Sequence, residues 1–133
     1  MRKTKVYLDN CCFNRPYDDL TNINVKLEAE AKMFIQHQIL LGNLELVWSD
    51  LMDYENSANP FPDRKEAISK WKDVSVANVH AANVHVSTEI FELAHEISLK
   101  GVKKKDALHI ASAIEAECQY FITTGKKTIE QIV

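Results

Sequence analysis

The sequence lacks several features that would place it in a common class of protein. It has only three glycines, and Gly42, Gly101 and Gly125 stand far apart, so there is no glycine-rich phosphate loop. No apolar run approaches the roughly 20 residues that cross a bilayer, so we do not expect a membrane protein. The start, MRKTKVYLDNCCF, has an aspartate in its apolar segment and no small-residue cleavage site, unlike a signal peptide. We therefore expect a cytoplasmic protein.

Cysteine and excess basic charge are also scarce. The chain has three cysteines, and Cys11 and Cys12 are adjacent, which is not the spacing of a disulfide framework or a paired zinc knuckle. With no CxxC and no HExxH motif, we interpret the cysteines as small, reduced, buried residues and the histidines as core or surface residues. A formal net charge of −3 argues against holding nucleic acid by overall charge alone. A phosphate-bearing partner would need a metal or local basic patches.

What the chain does contain is the pattern of one soluble α/β domain spanning residues 1–133, with 46% hydrophobic and 26% charged residues. Three short apolar runs predict buried strands: KVYLDN (5–10), LELVWS (44–49) and YFITT (120–124). Helical patterns lie between them, at about residues 25–41, 63–73 and 88–99, after Ser49, and from Lys104 onward. Strands separated by helices predict a mostly parallel central sheet with helices on both faces, a three-layer α/β/α fold.

Two helical or ambiguous segments carry further expectations. In the pattern at 25–41, Leu27, Ala31, Phe34 and Leu41 fall on one apolar stripe, the kind of face that a surface helix turns toward the core. Gly42 and the following asparagine supply the stop of this helix. The segment VANVHAANVHVS (76–87) fits both a helix and a strand, because its residues are small and β-branched.

Three acidic residues occupy positions that need an explanation. Asp9 ends the first strand, where functional residues of parallel sheets gather, although an Asp-Asn pair also suits a turn or a helix cap. Glu55 projects from the inward face of its helix together with Leu51, whereas Asp53 lies nearly opposite. Asp106 begins a helix, where it stabilises the dipole, but it also lies at the edge of the buried stripe. A shared site explains all three acids.

Carboxylates brought together repel one another unless a cation neutralises them. Ligands that are all oxygen select a hard divalent ion, so Mg²⁺ or Mn²⁺ fits this set of acids better than zinc.

Three stretches of the sequence resemble the PIN domain, and together they span nearly the whole chain: VYLDNCCFNRPYDD, SDLMDYENSANP and GVKKKDALHIASAIEAECQYFITTGKKTI. The resemblance implies an α/β fold with a parallel sheet and a metal-dependent ribonuclease that hydrolyses RNA phosphodiesters. It also implies the toxin of a toxin–antitoxin pair, bound by a protein antitoxin, and a homodimer. Carried over by position, it makes Asp9, Glu55 and Asp106 the catalytic and metal-binding acids, with Mg²⁺ or Mn²⁺ as cofactor.

The chain departs from the family pattern at one position. A fourth acid commonly follows the last strand, and here that position is Gly125, so we expect one bound metal and weakened activity. Expected contributors to substrate binding are Asn10, Arg15, Lys105, Thr123 and Thr124. The alternative is a catalytically inactive PIN-fold module that binds RNA or protein. The chain ends inside an apparent helix where related domains continue to one more strand, so we expect a shortened form.

Overall fold

A computed structural model of the chain describes residues 3–18, 20–79 and 88–123. In chain order the elements are β1 (Thr4–Leu8), α1 (Asn10–Asn14), a 3-10 turn (Arg15–Tyr17), α2 (Ile23–Leu40), β2 (Leu44–Ser49), α3 (Asp50–Ser57), α4 (Pro62–Ser69), α5 (Trp71–Val74), β3 (Ala77–Val79), α6 (Thr88–Ser98), α7 (Lys104–Glu115) and β4 (Tyr120–Ile122). The predicted strands and helices are present. The pattern at 63–73 forms two short helices, α4 and α5, rather than one.

The four strands form one parallel sheet in the order β3-β2-β1-β4. The predicted α/β class with a parallel central sheet is therefore confirmed. Of the ambiguous segment 76–87, residues Ala77–Val79 form the edge strand β3 beside β2, and the part after Val79 lies outside the described residues. The predicted last strand is observed over Tyr120–Ile122.

The two faces of the sheet are covered by different helices. Side chains alternate along β1 and β2, so Tyr7 and Trp48 lie on opposite faces of the sheet. Trp48 packs against Phe13 of α1, which in turn packs against Trp71 of α5, with ring centroids 5.5 and 5.7 Å apart. On the other face, Tyr7 packs edge-on against His109 of α7, at 5.5 Å between ring centroids. Helices on both faces agree with the three layers expected.

The orientation of α2 differs from the prediction. Leu27, Phe34 and Leu41 of the predicted inward stripe are 57%, 65% and 58% exposed, whereas the buried positions of α2 are Ala29, Lys32 and Ile39. The physical reason is that α2 carries apolar residues around most of its circumference, so its periodicity does not select one side. Packing against β2 and the 3-10 turn selects the side instead.

The end of α2 was predicted correctly, and it sets where β2 begins. Gly42 adopts a φ of +79°, and its N–H donates to the carbonyl of Ile39 at 3.0 Å. The next N–H, of Asn43, donates to the carbonyl of Gln38 at 3.0 Å, which completes a Schellman motif. A residue with a Cβ would be strained in this conformation, so glycine is required for the reversal into the sheet.

Candidate active site at the carboxyl end of the sheet

The strand order places a switch point between β1 and β4. The chain moves from β1 outward to β2 and β3, and then returns to the other side of β1 to form β4. In open parallel sheets, ligands bind beyond the carboxyl ends of the strands at such a point. The two strand ends are joined here, because the N–H of Asp9 donates to the carbonyl of Ile122 at 3.2 Å.

Asp9 stands at this junction with its side chain turned inward. It is 8% exposed, and although it occupies the N-cap position of α1, its side chain makes no capping hydrogen bond. Its Oδ1 instead accepts hydrogen bonds from the thiols of Cys11, at 2.5 Å, and Cys12, at 3.5 Å. Of the two explanations for Asp9, the side-chain helix cap is thus not the one observed.

The thiols and Asp9 form a compact cluster. One ligand atom from each of Asp9, Cys11 and Cys12 lies within 4.8 Å of the other two, the only such group of histidine, cysteine and acidic side chains in the described part of the chain. We call it the Asp9–thiol cluster. The hydrogen bond with Cys11, then burial, then the charge of Asp9 raise the pKa of the Cys12 thiol. Both cysteines therefore have polar contacts beyond the packing role expected from the sequence.

Glu55 lies inward on α3, as the helical wheel predicted. Its side chain is 14% exposed and is hydrogen-bonded to Nε2 of His109 in α7. Asp53, on the outer side of α3, accepts hydrogen bonds from Trp48 Nε1 at 3.1 Å and from Lys72 Nζ at 3.2 Å. Asp53 and Glu55 therefore lie in different environments, and Glu55 is bonded to α7, the helix that precedes β4.

A buried polar chain continues from Glu55 into the sheet. Nδ1 of His109 lies 2.5 Å from the Tyr7 hydroxyl, which lies 2.6 Å from Oγ of Ser49. An ionised Glu55 only accepts, so Nε2 carries a proton, and with a neutral imidazole Nδ1 accepts from Tyr7. Tyr7 in turn accepts from Ser49. We call Ser49, Tyr7, His109 and Glu55 the Glu55 chain.

The charges of both acids affect the pKa of the Tyr7 hydroxyl. Burial is the main cause that raises the pKa of its hydroxyl, and the charges of Glu55 and Asp9 raise it further, while the hydrogen bond with Ser49 lowers it. The phenol therefore stays protonated and able to donate. Asp9 directly follows β1, and α3, which carries Glu55, directly follows the neighbouring parallel strand β2, so both acids lie at the carboxyl end of the sheet.

Asp106 lies one turn before His109 on the same side of α7, and it is half-buried. It therefore stands next to the Glu55 chain along the helix. The carboxylates of Asp9, Glu55 and Asp106 are not all within 4.8 Å of one another, so they do not form the immediate ligand shell of a single ion in the described structure.

The residues expected to bind substrate differ in burial and in their partners. Asn10, the first residue of α1, is half-buried, and its Oδ1 has no hydrogen-bond partner among the described residues. Arg15 is ion-paired with Asp18 at 3.2 Å and Glu28 at 3.1 Å. Lys105 is exposed on the first turn of α7, and Oγ1 of Thr123 lies 3.8 Å from Sγ of Cys11. The predictions for Thr124 and Gly125 lie outside the described residues.

Sequence reasoning missed three members of the Glu55 chain. Tyr7 and Ser49 are polar residues inside otherwise apolar strands, and His109 is a histidine inside the apolar face of α7. A polar residue within an apolar pattern can be recognised in the sequence, and it predicts a hydrogen-bond partner, because buried polar groups need partners. The pattern does not show which residue the partner is.

Comparison of the chain with protein-family models, with curated proteins and with solved structures finds no match. Within residues 3–18, 20–79 and 88–123, none of the helices combines the length and apolarity that a bilayer crossing requires.

Proposed function

We propose that the protein is a PIN-like, metal-dependent ribonuclease whose active site lies at the carboxyl ends of β1 and β4. The observation that carries the proposal is the pair of inward carboxylates at this edge: Asp9 directly follows β1, and Glu55, on the helix that directly follows β2, is bonded to His109, which is bonded to Tyr7 of β1. Neither acid has a lysine or arginine ion pair among the described residues. Burying two carboxylates without cations is costly, and a metal ion would relieve that cost.

The residues present fit Mg²⁺ or Mn²⁺ in part. Asp9 and Glu55, with Asp106 beside them along α7, offer carboxylate oxygens, and such ions use one or two carboxylates and keep several waters. The thiols bonded to Asp9 are poor ligands for hard ions. A bound ion would supply the positive charge that lowers the pKa of a water and offsets charge on the phosphate.

The remaining roles fall to the protein's own side chains. His109 holds one oxygen of Glu55 through Nε2, and Tyr7 and Ser49 hold His109, so that carboxylate is fixed before substrate arrives. The amide of Asn10 and the hydroxyl of Thr123 flank Asp9 and offer neutral hydrogen bonds to a phosphate. Lys105 adds a positive charge at the rim. Arg15 contributes only if its ion pairs open.

The test is cleavage of a structured RNA by the full chain with Mn²⁺. We expect cleavage that Asp9→Asn reduces by at least about 100-fold, as for removal of a group that stabilises a transition state. Asp63→Asn, at an exposed position of α4, is the matched control and should leave the rate unchanged.

Gly125→Asp, which restores the fourth acid, should raise the rate. Cleavage seen only after Gly125→Asp would show that the natural chain is not a nuclease.

The second candidate is a non-catalytic module that binds a protein, and the outer face of α2 offers a surface for such a partner. Ile23, Leu27, Phe34 and Leu41 lie on one side of this helix and are more than half exposed. A contiguous exposed apolar face indicates a protein partner, either a second copy or an antitoxin. Light scattering should give the mass of a dimer for the natural chain and of a monomer for Phe34→Glu. A monomer at every concentration would exclude self-association through α2.

A further inference from the structure

We propose that Asp9, Cys11 and Cys12 form a binding site for Zn²⁺ at the carboxyl end of β1, distinct in its donor chemistry from an all-carboxylate magnesium site. The starting observation is that the three ligand atoms already lie within 4.8 Å of one another without any metal. Both sulfurs lie within hydrogen-bond distance of the same oxygen, Asp9 Oδ1, at 2.5 and 3.5 Å.

Of the two sulfur–oxygen separations, one matches a tetrahedral zinc site and the other is about 1 Å shorter. Zn–S bonds of about 2.3 Å at tetrahedral angles put two sulfurs about 3.8 Å apart, and a sulfur and an oxygen about 3.5 Å apart. The observed 3.5 Å between Cys12 Sγ and Asp9 Oδ1 already meets this value. The 2.5 Å between Cys11 Sγ and Asp9 Oδ1 must open by about 1 Å. Cys11 is half-buried, so its side chain is not fully enclosed by the core.

The main chain holds the ligands in place. The N–H of Asp9 donates to the carbonyl of Ile122, and the N–H of Cys12 donates to the carbonyl of Asp9 at 3.0 Å. Sγ of Cys12 also lies 3.1 Å from the carbonyl of Ile122. Three ligands within four residues, braced against β4, lose little conformational entropy when an ion binds.

The donor set decides which ion is favoured. Two thiolates and one carboxylate suit Zn²⁺, which binds cysteine sulfur and carboxylate oxygen, whereas Mg²⁺ requires oxygen ligands. Three protein ligands leave the fourth tetrahedral position for a water or another small ligand. Zinc binding releases the thiol protons to the solvent, because thiolate is the ligand form.

The site has a consequence that rests on the proposed function. A zinc ion held by the thiols and a catalytic Mn²⁺ would compete for the Asp9 carboxylate. Zn²⁺ is therefore expected to inhibit cleavage. The zinc site itself does not depend on nuclease activity, and it is tested separately by spectroscopy without RNA.

The experiment is titration of the reduced full chain with Co²⁺, a zinc substitute whose thiolate complexes absorb in the near ultraviolet. We expect a thiolate-to-cobalt band that saturates at one ion per chain and disappears when Zn²⁺ is added. Cys11→Ser should cut the band to about half and weaken binding by at least about 10-fold, because one of two thiolates is lost. Cys118→Ser is the matched control, since Cys118 is a half-buried thiol outside the Asp9–thiol cluster, and it should leave the band unchanged.

Three results would overturn the zinc site: no band in the folded natural chain, a band of full intensity in Cys11→Ser, or loss of the band in Cys118→Ser. Circular dichroism confirms that each variant is folded. Inactive protein that shows the band contradicts the nuclease and not the zinc site, while active protein without the band contradicts only the zinc site. Inhibition of Mn²⁺-dependent cleavage by Zn²⁺ should be strong in the natural chain and weaker in Cys11→Ser.

Discussion

Asp9 and Glu55 lie at the same end of the sheet, but their surroundings differ. Glu55 is held by a histidine, a tyrosine and a serine that reach it through the interior, and each of these groups has a partner. Asp9 is held by two thiols, which are weak hydrogen-bond donors, and by the main chain around it. One carboxylate is therefore tied into the structural framework, while the other keeps a charge that is only weakly compensated.

Because their surroundings differ, changes around Glu55 and changes at Asp9 should affect the stability of the fold differently. A well-satisfied polar network rigidifies its surroundings and is expensive to break. A buried carboxylate with weak donors costs stability, and such a cost is typical of sites that bind a cation. We therefore expect changes at His109 and Tyr7, which hold Glu55, to destabilise the fold, and a change at Asp9 to weaken metal binding without destabilising the fold.

The largest expected effect on stability comes from His109→Leu. This change leaves Glu55 and the Tyr7 hydroxyl without their shared partner in the interior, so the free energy of unfolding should fall by about 3 to 5 kcal/mol. Urea denaturation followed by circular dichroism measures it. His95→Leu, at an exposed position of α6, is the control and should change stability by no more than about 0.5 kcal/mol. A loss below about 1 kcal/mol for His109→Leu would contradict a tightly held Glu55.

A smaller loss is expected from Tyr7→Phe. The ring remains in the core, but His109 and Ser49 lose the hydroxyl between them, which should cost about 1 to 3 kcal/mol. Thermal and urea unfolding both report this change. Tyr120→Phe removes an exposed hydroxyl on β4 and should be neutral. Equal stability of the two variants would mean that the Glu55 chain contributes nothing through Tyr7.

Asp9→Asn should raise the free energy of unfolding, whereas the two preceding changes lower it. Removing a buried charge whose side-chain hydrogen bonds, among the described residues, come from thiols should stabilise the metal-free protein by about 0.5 to 1 kcal/mol. The measurement is urea unfolding in the presence of a chelator. A loss of more than about 1 kcal/mol would show that the Asp9 carboxylate serves the fold rather than a ligand.

The last effect is confined to alkaline pH and concerns Cys118, a thiol whose pKa is raised by burial rather than by an acid. Burial raises this pKa from 9.0 to about 11, against a lowering by Lys5. Between these values the unfolded chain loses the thiol proton and the folded chain keeps it, so stability should fall as the pH rises from 9 to 11. The slope should be shallower in Cys118→Ser. Parallel curves would contradict the raised pKa.

Much of the fold could be predicted because its signals are local. Apolar runs marked β1, β2 and β4, and Gly42 marked the end of α2. The edge strand β3 has only three residues, and its pairing with β2 depends on a contact between distant segments. The inward face of α2 could not be selected, because Leu27 and Phe34 compete with apolar residues on the opposite side.

The candidate site likewise has residues that the sequence could predict and residues that it could not. Asp9 and Glu55 could be selected because each interrupts an apolar pattern at a strand end or on an inward helix face. The partners of Glu55 could not be assigned, because Tyr7 and His109 are 102 positions apart and meet only when α7 packs on β1. The thiols of Cys11 and Cys12 were interpreted as packing residues, since nothing in the sequence shows that both would point at Asp9.

The most direct test of a metal site shared by the two carboxylates is calorimetric titration of the full chain with Mn²⁺. The natural chain should bind the ion, and Asp9→Asn and Glu55→Gln should each weaken binding by about 10-fold or more, which is about 1.4 kcal/mol. Asp63→Asn should bind as the natural chain does. If the natural chain does not bind Mn²⁺, or if Asp9→Asn and Glu55→Gln bind it with unchanged affinity, the two carboxylates do not form the proposed metal site.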